Sequence, residues 1–221
     1  HQAGHRIVIS DIDGEAAGRL TAELDPAGNS AIAATLDVRQ PEAFERVRDA
    51  AIARWGSVEI LVNNAAVTVA RPLLELEPAE FNTIMATNAG GVFAGSQILG
   101  RHFKERGYGR IVNLASLAGQ NGGTATGAHY AASKGAIMTL TKVFARDLAA
   151  FGITVNSVSP GMMDTEMQRV TERALARAEG REHFDEFIAE RTRRAPLGRR
   201  AGIDEVAAAV IWLALDAPAY I

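Results

Sequence analysis

The stretch "RIVISDIDGEAAGRLTAELDPAGNSAIAATL" (residues 6–36) contains the pattern that decides the fold. It opens on a β-branched run at 6–10, passes through a helical pattern over 14–25, and returns to an apolar run at 31–36. Two such runs joined through a helix form parallel strands, because a hairpin would need only a tight turn. The alternation continues outward through "VEILV" (58–62), "RIVNLA" (110–115) and "ITVNSV" (153–158). Helical patterns fall between and after these runs, over 42–55, 78–105, 129–150 and 203–215. Pro41 suits the first turn of the second of these helices and Gly56 suits its end. The strands read as nearly continuous apolar runs, as strands covered on both faces do. The expected fold class is therefore α/β, a doubly wound parallel sheet with helices on both faces.

Bulk properties narrow the function. The chain has 221 residues, 48% of them hydrophobic and 22% charged, which describes a folded globular protein. No repeat or linker divides it, so residues 1–221 read as one domain. A net charge of −3 gives no electrostatic reason to expect nucleic acid or an anionic membrane as partner. No apolar run is long enough to span a bilayer, and no leader pattern is visible. Cysteine is absent, which removes disulfides and thiolate zinc sites and fits a cytoplasmic location; no metal site is expected.

The chemistry-bearing residues cluster in four places. In "HYAASKGAI" (129–137), Tyr130 lies four residues before Lys134, hence on the same helical face. A cation held there would favour the phenolate and lower the tyrosine pKa, which suits proton exchange with an alcohol or ketone. The plainer alternative is a surface lysine lying along an aromatic ring. Ser116 ends the strand of "GRIVNLASLAG" (109–119), where parallel sheets present residues to ligands. Leu114 and Ala118 flank it where a hydrolase elbow would need glycines, so it reads as a hydrogen-bond donor and not a nucleophile. Asn88 in "TIMATNAGGVF" (83–93), followed by Gly90 and Gly91, is poor helix chemistry and predicts a backbone irregularity. "LVNNAAV" (61–67) ends another strand.

Taken together, "NNAA", "TNAGGVF", Ser116, "YAASK" and "NSVSPGMMDTEM" (156–167) resemble, in order and spacing, the short-chain dehydrogenase/reductases. The resemblance implies a Rossmann-like fold and an oxidoreductase that moves a hydride between a nicotinamide cofactor and a carbon bearing oxygen. It makes Tyr130 the acid/base and has Ser116 orient the substrate oxygen. Lys134 would lower the Tyr130 pKa and hold the nicotinamide ribose, and Asn88 would anchor a proton-relay water. Asn63, Ala65 and Ala66 would line the cofactor. Pro160, Gly161, Met163 and Thr165 would surround the nicotinamide amide. Ala66 stands where that family more often has glycine.

At the adenosine end, Asp11 closes the strand of "RIVISDID", and a carboxylate there accepts ribose hydroxyls and repels a 2′-phosphate. NAD is thus expected over NADP, with Asp13 as the competing helix cap. "LDV" (36–38) would place Asp37 on the adenine amine and Val38 against the ring. Family members begin with a strand and a glycine-rich turn and end with one further strand. Neither is in this sequence, so a fragment of a longer enzyme is expected, lacking its first and last strands.

Residues 165–200 correspond to that family's substrate lid. Arg169, Arg173, Arg177 and Arg181 recur there at helical spacing, and with Glu172, Glu179 and Glu182 they read as a solvated face. Gly123, Thr124, His129, Met162 and Met167 are candidate pocket walls. The expected substrate is a secondary alcohol, a sugar or a hydroxyacyl group. The main alternative is an NADPH-dependent 3-oxoacyl-[acyl-carrier-protein] reductase, against which stand Asp11 and Phe151, the latter where a carrier-docking arginine is expected. A non-catalytic dinucleotide sensor is the alternative of another class. By analogy the helices 78–105 and 129–150 would build a homo-oligomer, a dimer or homotetramer.

Overall fold

The computed structural model describes residues 4–124 and 127–221. Among the described residues all strand pairings are parallel, and they form two ladders. In the first, β1 (Ile7–Asp11) pairs with β2 (Ala31–Thr35), with Asp11 opposite Thr35. In the second, the order is β3 (Ile60–Asn63), β4 (Gly109–Leu114), β5 (Ile153–Val158). Asn63 lies opposite Asn113 and Asn113 opposite Ser157 in that ladder. Among the described residues no strand pairs with both β1 and β3, and parallel strands with flanking helices are the α/β class that was expected.

The crossover helices follow local chemistry. α1 (Gly14–Leu24) starts where the Asp13 carboxylate accepts the Ala16 N–H at 2.9 Å, so Asp13 is the helix cap. α2 (Pro41–Trp55) starts on proline and stops at Gly56, whose φ of 88° favours glycine. The helix expected over 78–105 is instead three pieces: α3 (Pro78–Met85), a π-helical turn over Ala86–Gly90, and α4 (Gly91–Arg106). The widened turn falls on Asn88, Ala89 and Gly90, where the sequence predicted an irregularity. A short α5 (Ala118–Asn121) follows β4, and the long α6 (Ala128–Leu148) then leads to β5.

Phe44 of α2, Ile98, Leu99 and Phe103 of α4, Ile111 of β4, and Ile153 and Val155 of β5 form the main core, with Leu36 beside them. Phe103 and Ile111 are fully buried, each contributing about 1.5–3 kcal/mol. Beyond β5, α7 (Glu166–Ala178) and α8 (Phe184–Arg193) share a smaller core of Leu175, Ala176 and Phe187. α9 (Ile203–Ile211) ends the ordered helices and runs into a second π-helical turn, Trp212–Asp216. No helix among the described residues is long and apolar enough to cross a membrane.

Candidate active site

β4 delivers Ser116 just beyond its last residue, and α6 delivers Tyr130 in its first turn and Lys134 one turn on. The Ser116 side chain lies close enough to the Tyr130 phenol to act on its pKa. A tight packing contact sets their spacing. A Cβ at Gly119 would lie 2.6 Å from the Lys134 carbonyl carbon and 2.7 Å from the Gly135 nitrogen. Only glycine lets the loop after β4 come that close to α6.

Lys134 is 3% exposed, and its Nζ donates to the Leu114 carbonyl at 2.6 Å. Nζ also stands 5.5 Å from the centroid of the Tyr130 ring. Burial brings the Lys134 pKa down to about 8, so the ammonium is still mostly charged at neutral pH. Tyr130 corrects the expectation. Burial raises its pKa above the ordinary tyrosine value, and the Ser116 side chain offsets only part of that rise. The ammonium hydrogen-bonds to Leu114 and not to the phenol, which is why desolvation wins. Tyr130 is a protonated acid at neutral pH in this state.

Asn88 is fully buried in the π-helical turn. Its Oδ1 accepts the Val67 N–H at 2.8 Å, and its Nδ2 donates to the Val67 carbonyl and the Ser133 hydroxyl, both at 3.0 Å. Ser133 in turn donates to the Tyr130 carbonyl at 2.7 Å. The amide therefore ties the loop after β3 to the turn of α6 that carries Tyr130. Ser133 was missed in the sequence, where it reads as one more small helical residue.

Asn63 is buried at the end of β3 and donates to Asn113 Oδ1 at 2.8 Å and to Ser96 Oγ at 3.2 Å. Asn113 donates onward to Thr141 Oγ1 at 2.9 Å. This row crosses from α4 through β3 and β4 to α6. Asn113 was also missed, although an asparagine inside the apolar run "RIVNLA" was a usable signal. Ala65 and Ala66 follow Asn63 in the same loop, Ala65 exposed and Ala66 half-buried.

After β5, the Pro160 carbonyl accepts the Leu117 N–H at 3.0 Å, which brings Pro160 and Gly161 against the Ser116 loop. Met163 bridges to Ala201, and Thr165 caps α7 by accepting the Gln168 N–H at 3.2 Å. The end of β1 carries Asp11, and the turn after β2 carries Asp37 and Val38. Asp11 is exposed and accepts the Asp13 N–H at 2.9 Å, and among the described residues no cation pairs with it. Asp37 is already paired within the chain. Arg39 grips it, with Nη2 at 2.6 Å and Nε at 2.9 Å, and holds its pKa below the usual carboxylate range. Val38 packs against the start of α4, where a Cβ on Gly91 would lie 2.8 Å from its side chain.

Asp11, Asn63 and Ser116 lie at or just beyond the carboxyl ends of parallel strands, the place where such sheets take ligands. The donor set suits a nicotinamide dinucleotide. The buried Lys134 ammonium makes one hydrogen bond and has further N–H donors for ribose hydroxyls, and Asp11 offers a free acceptor at the far strand. Of the suggested wall residues, His129 is fully buried, and neither ring nitrogen has a partner among the described residues. Met162 and Thr124 are half-buried, whereas Met167 and Gly123 are exposed.

Residues 1–221 match a family model described as enoyl-(acyl carrier protein) reductase. The chain is 38% identical over 188 residues to the 3-oxoacyl-[acyl-carrier-protein] reductase FabG of Escherichia coli (strain K12), covering 84% of this chain and 71% of that protein. It is 32% identical over 218 residues to the 5-keto-D-gluconate 5-reductase of the same organism, covering 99% of this chain and 82% of that one. A gluconate 5-dehydrogenase from Burkholderia cenocepacia J2315, solved in complex with NADP and tartrate, superposes with a TM-score of 0.85 at 34% identity, over 100% of this chain and 82% of that one.

Proposed function

The chain belongs to the short-chain dehydrogenase/reductase family, and we propose that it moves a hydride between NAD(H) and the carbon of a secondary alcohol or ketone. The observation that carries this reading is the buried Lys134 ammonium 5.5 Å from the Tyr130 ring, one turn along α6, with the Ser116 side chain acting on the same phenol from the end of β4. Two hydroxyls placed near each other in this way can both reach one substrate oxygen. Ser116 then holds that oxygen in place. Tyr130, protonated at neutral pH, donates its proton to the oxygen of a ketone as the carbon is reduced. Lys134 holds positive charge beside the phenol and stabilises the negative charge that develops there. When bound, the nicotinamide supplies or accepts the hydride. Asn88 acts through its clamp on Val67 and Ser133, keeping the first turns of α6 in register with the loop after β3.

The exposed Asp11 carboxylate supports NAD over NADP, because a 2′-phosphate brought to it meets like charge. Asn63, Ala65, Ala66, Pro160, Gly161, Met163 and Thr165 line the remaining cofactor path, with Asp37 and Val38 at its adenine end. Helices α7 and α8 form the substrate lid within residues 165–200. The names of two of the relatives reported above favour a polyhydroxy acid or its keto form as substrate. An acyl-carrier thioester is the second reading, favoured by the FabG likeness. The copies assemble as a homo-oligomer.

The test is turnover of 5-keto-D-gluconate, D-sorbitol and an acetoacetyl thioester with NAD(H) and NADP(H), using the natural full-length protein and Tyr130→Phe. The expected outcome is turnover of one substrate class with NAD(H) preferred. In Tyr130→Phe, kcat falls by about 10²-fold or more while dinucleotide binding, read by fluorescence, persists. Unchanged turnover in that variant would remove Tyr130 from the chemistry.

A further inference from the structure

The geometry points to Glu172 and Arg200 as positioning residues that hold the α7–α8 lid against the loop bordering the active site, and so set the affinity for substrate. This rests on the lid assignment made above. Glu172 is 1% exposed, although the charge pattern of α7 placed it on a solvated face. Its carboxylate gathers three segments. Gln168 Nε2 on the same helix donates to Oε1 at 2.9 Å, and Arg191 Nε of α8 donates to it at 3.4 Å. Arg200, outside both helices, places Nη2 at 2.8 and 2.9 Å from the two carboxylate oxygens. Arg200 Nε also donates to Thr192 Oγ1 at 3.3 Å.

The position of Arg200 gives the cluster its reach. The next residue, Ala201, donates its N–H to the Met162 carbonyl at 3.0 Å and bridges to Met163. Met162 and Met163 directly follow Pro160 and Gly161, which are tied to the Ser116 loop through Leu117. A continuous path thus runs from the lid through Glu172, Arg200 and Ala201 to the loop beside Ser116. The apolar contacts of the two lid helices stay largely between themselves, in Leu175, Ala176 and Phe187 with Phe184 and Ile188 around them. A lid with its own small core and a buried charged tether to the body moves as a unit when the tether is cut. The apparent substrate affinity then falls by the fraction of time the lid is displaced.

The experiment compares Arg200→Leu and Glu172→Gln with the conservative Arg200→Lys, using the natural full-length protein and whichever probe substrate turns over. Arg200→Leu and Glu172→Gln are expected to raise KM about 10-fold or more, with kcat within about 3-fold and dinucleotide affinity unchanged. Arg200→Lys should recover much of the loss. A second readout needs no turnover: hydrogen exchange of 166–193 should rise in both disruptive variants while that of α6 stays fixed. Exchange measured this way still decides the tether if no probe substrate reacts, which separates this inference from the proposed activity. Unchanged exchange over 166–193 in both variants would overturn it. So would a fall in kcat at constant KM, or a uniform rise in exchange across the chain.

Discussion

Lys134 shows how far a residue's environment can depart from what its spacing suggests. Its place one turn from Tyr130 was legible in "YAASK", but its burial was not. A shift from 10.5 to about 8 means that the charged form costs the folded state about 3 kcal/mol more than the unfolded one. Below pH 8 that cost is present in full. Between pH 8 and 10.5 the unfolded chain keeps a proton that the folded chain has lost, so the stability of the wild type rises with pH. Lys134→Met removes the cost but leaves the Leu114 carbonyl without its donor, which offsets about 1–3 kcal/mol of the gain. The stability of Lys134→Met relative to wild type should therefore decline by about 3 kcal/mol from pH 7 to pH 10.5, read by denaturant unfolding without cofactor. A pH-independent difference would show that the buried ammonium carries no such penalty. Tyr130 teaches the same lesson in the opposite direction, since the lowering expected from a neighbouring cation is outweighed by burial.

Between elements, the amide row of Asn63 and Asn113 does what apolar packing cannot. It fixes β3 and β4 in one register, opposite residue to opposite residue, and links both strands to α4 and α6. Asn113→Ala would strip Asn63 Nδ2 of its nearer acceptor and Thr141 Oγ1 of its donor. The expected cost is about 1–3 kcal/mol, seen as a Tm lower by several degrees. An unchanged Tm would mean that the row is dispensable. Much of this level was readable in advance. The strands fell within a residue or two of their predicted places, and the irregular turn appeared where Asn88 and Gly90 interrupt a helical pattern. The partners of Asn88 could not be read, because Val67 and Ser133 are 21 and 45 residues away in the chain.

At the scale of the whole molecule, the outer surfaces of α4 and α6 leave apolar groups uncovered. Phe93 is 45% exposed and Val143 54%. The Phe93 ring rests 5.9 Å from that of Phe144, which places it at the junction of the two helices. Such groups support the proposed homo-oligomer. Sedimentation of the natural full-length protein should give more than one chain per particle, and Phe93→Asp with Val143→Asp should shift it toward monomer. A monomeric wild type at micromolar concentration would remove this part of the proposal.

The sequence by itself determined the order of the strands, the parallel pairing, the caps at Asp13 and Gly56, and the one-turn spacing of Tyr130 and Lys134. These follow from periodicities and short spacings that act within a few turns of chain. Tertiary structure alone decided that Arg39 engages Asp37, that burial raises the Tyr130 pKa, and that Glu172 is buried beneath Arg200. The reason is physical. A helical period tells which residues share a face, whereas desolvation and ion pairing depend on what covers that face. In the case of Glu172 and Arg200 the covering group lies 28 residues along the chain.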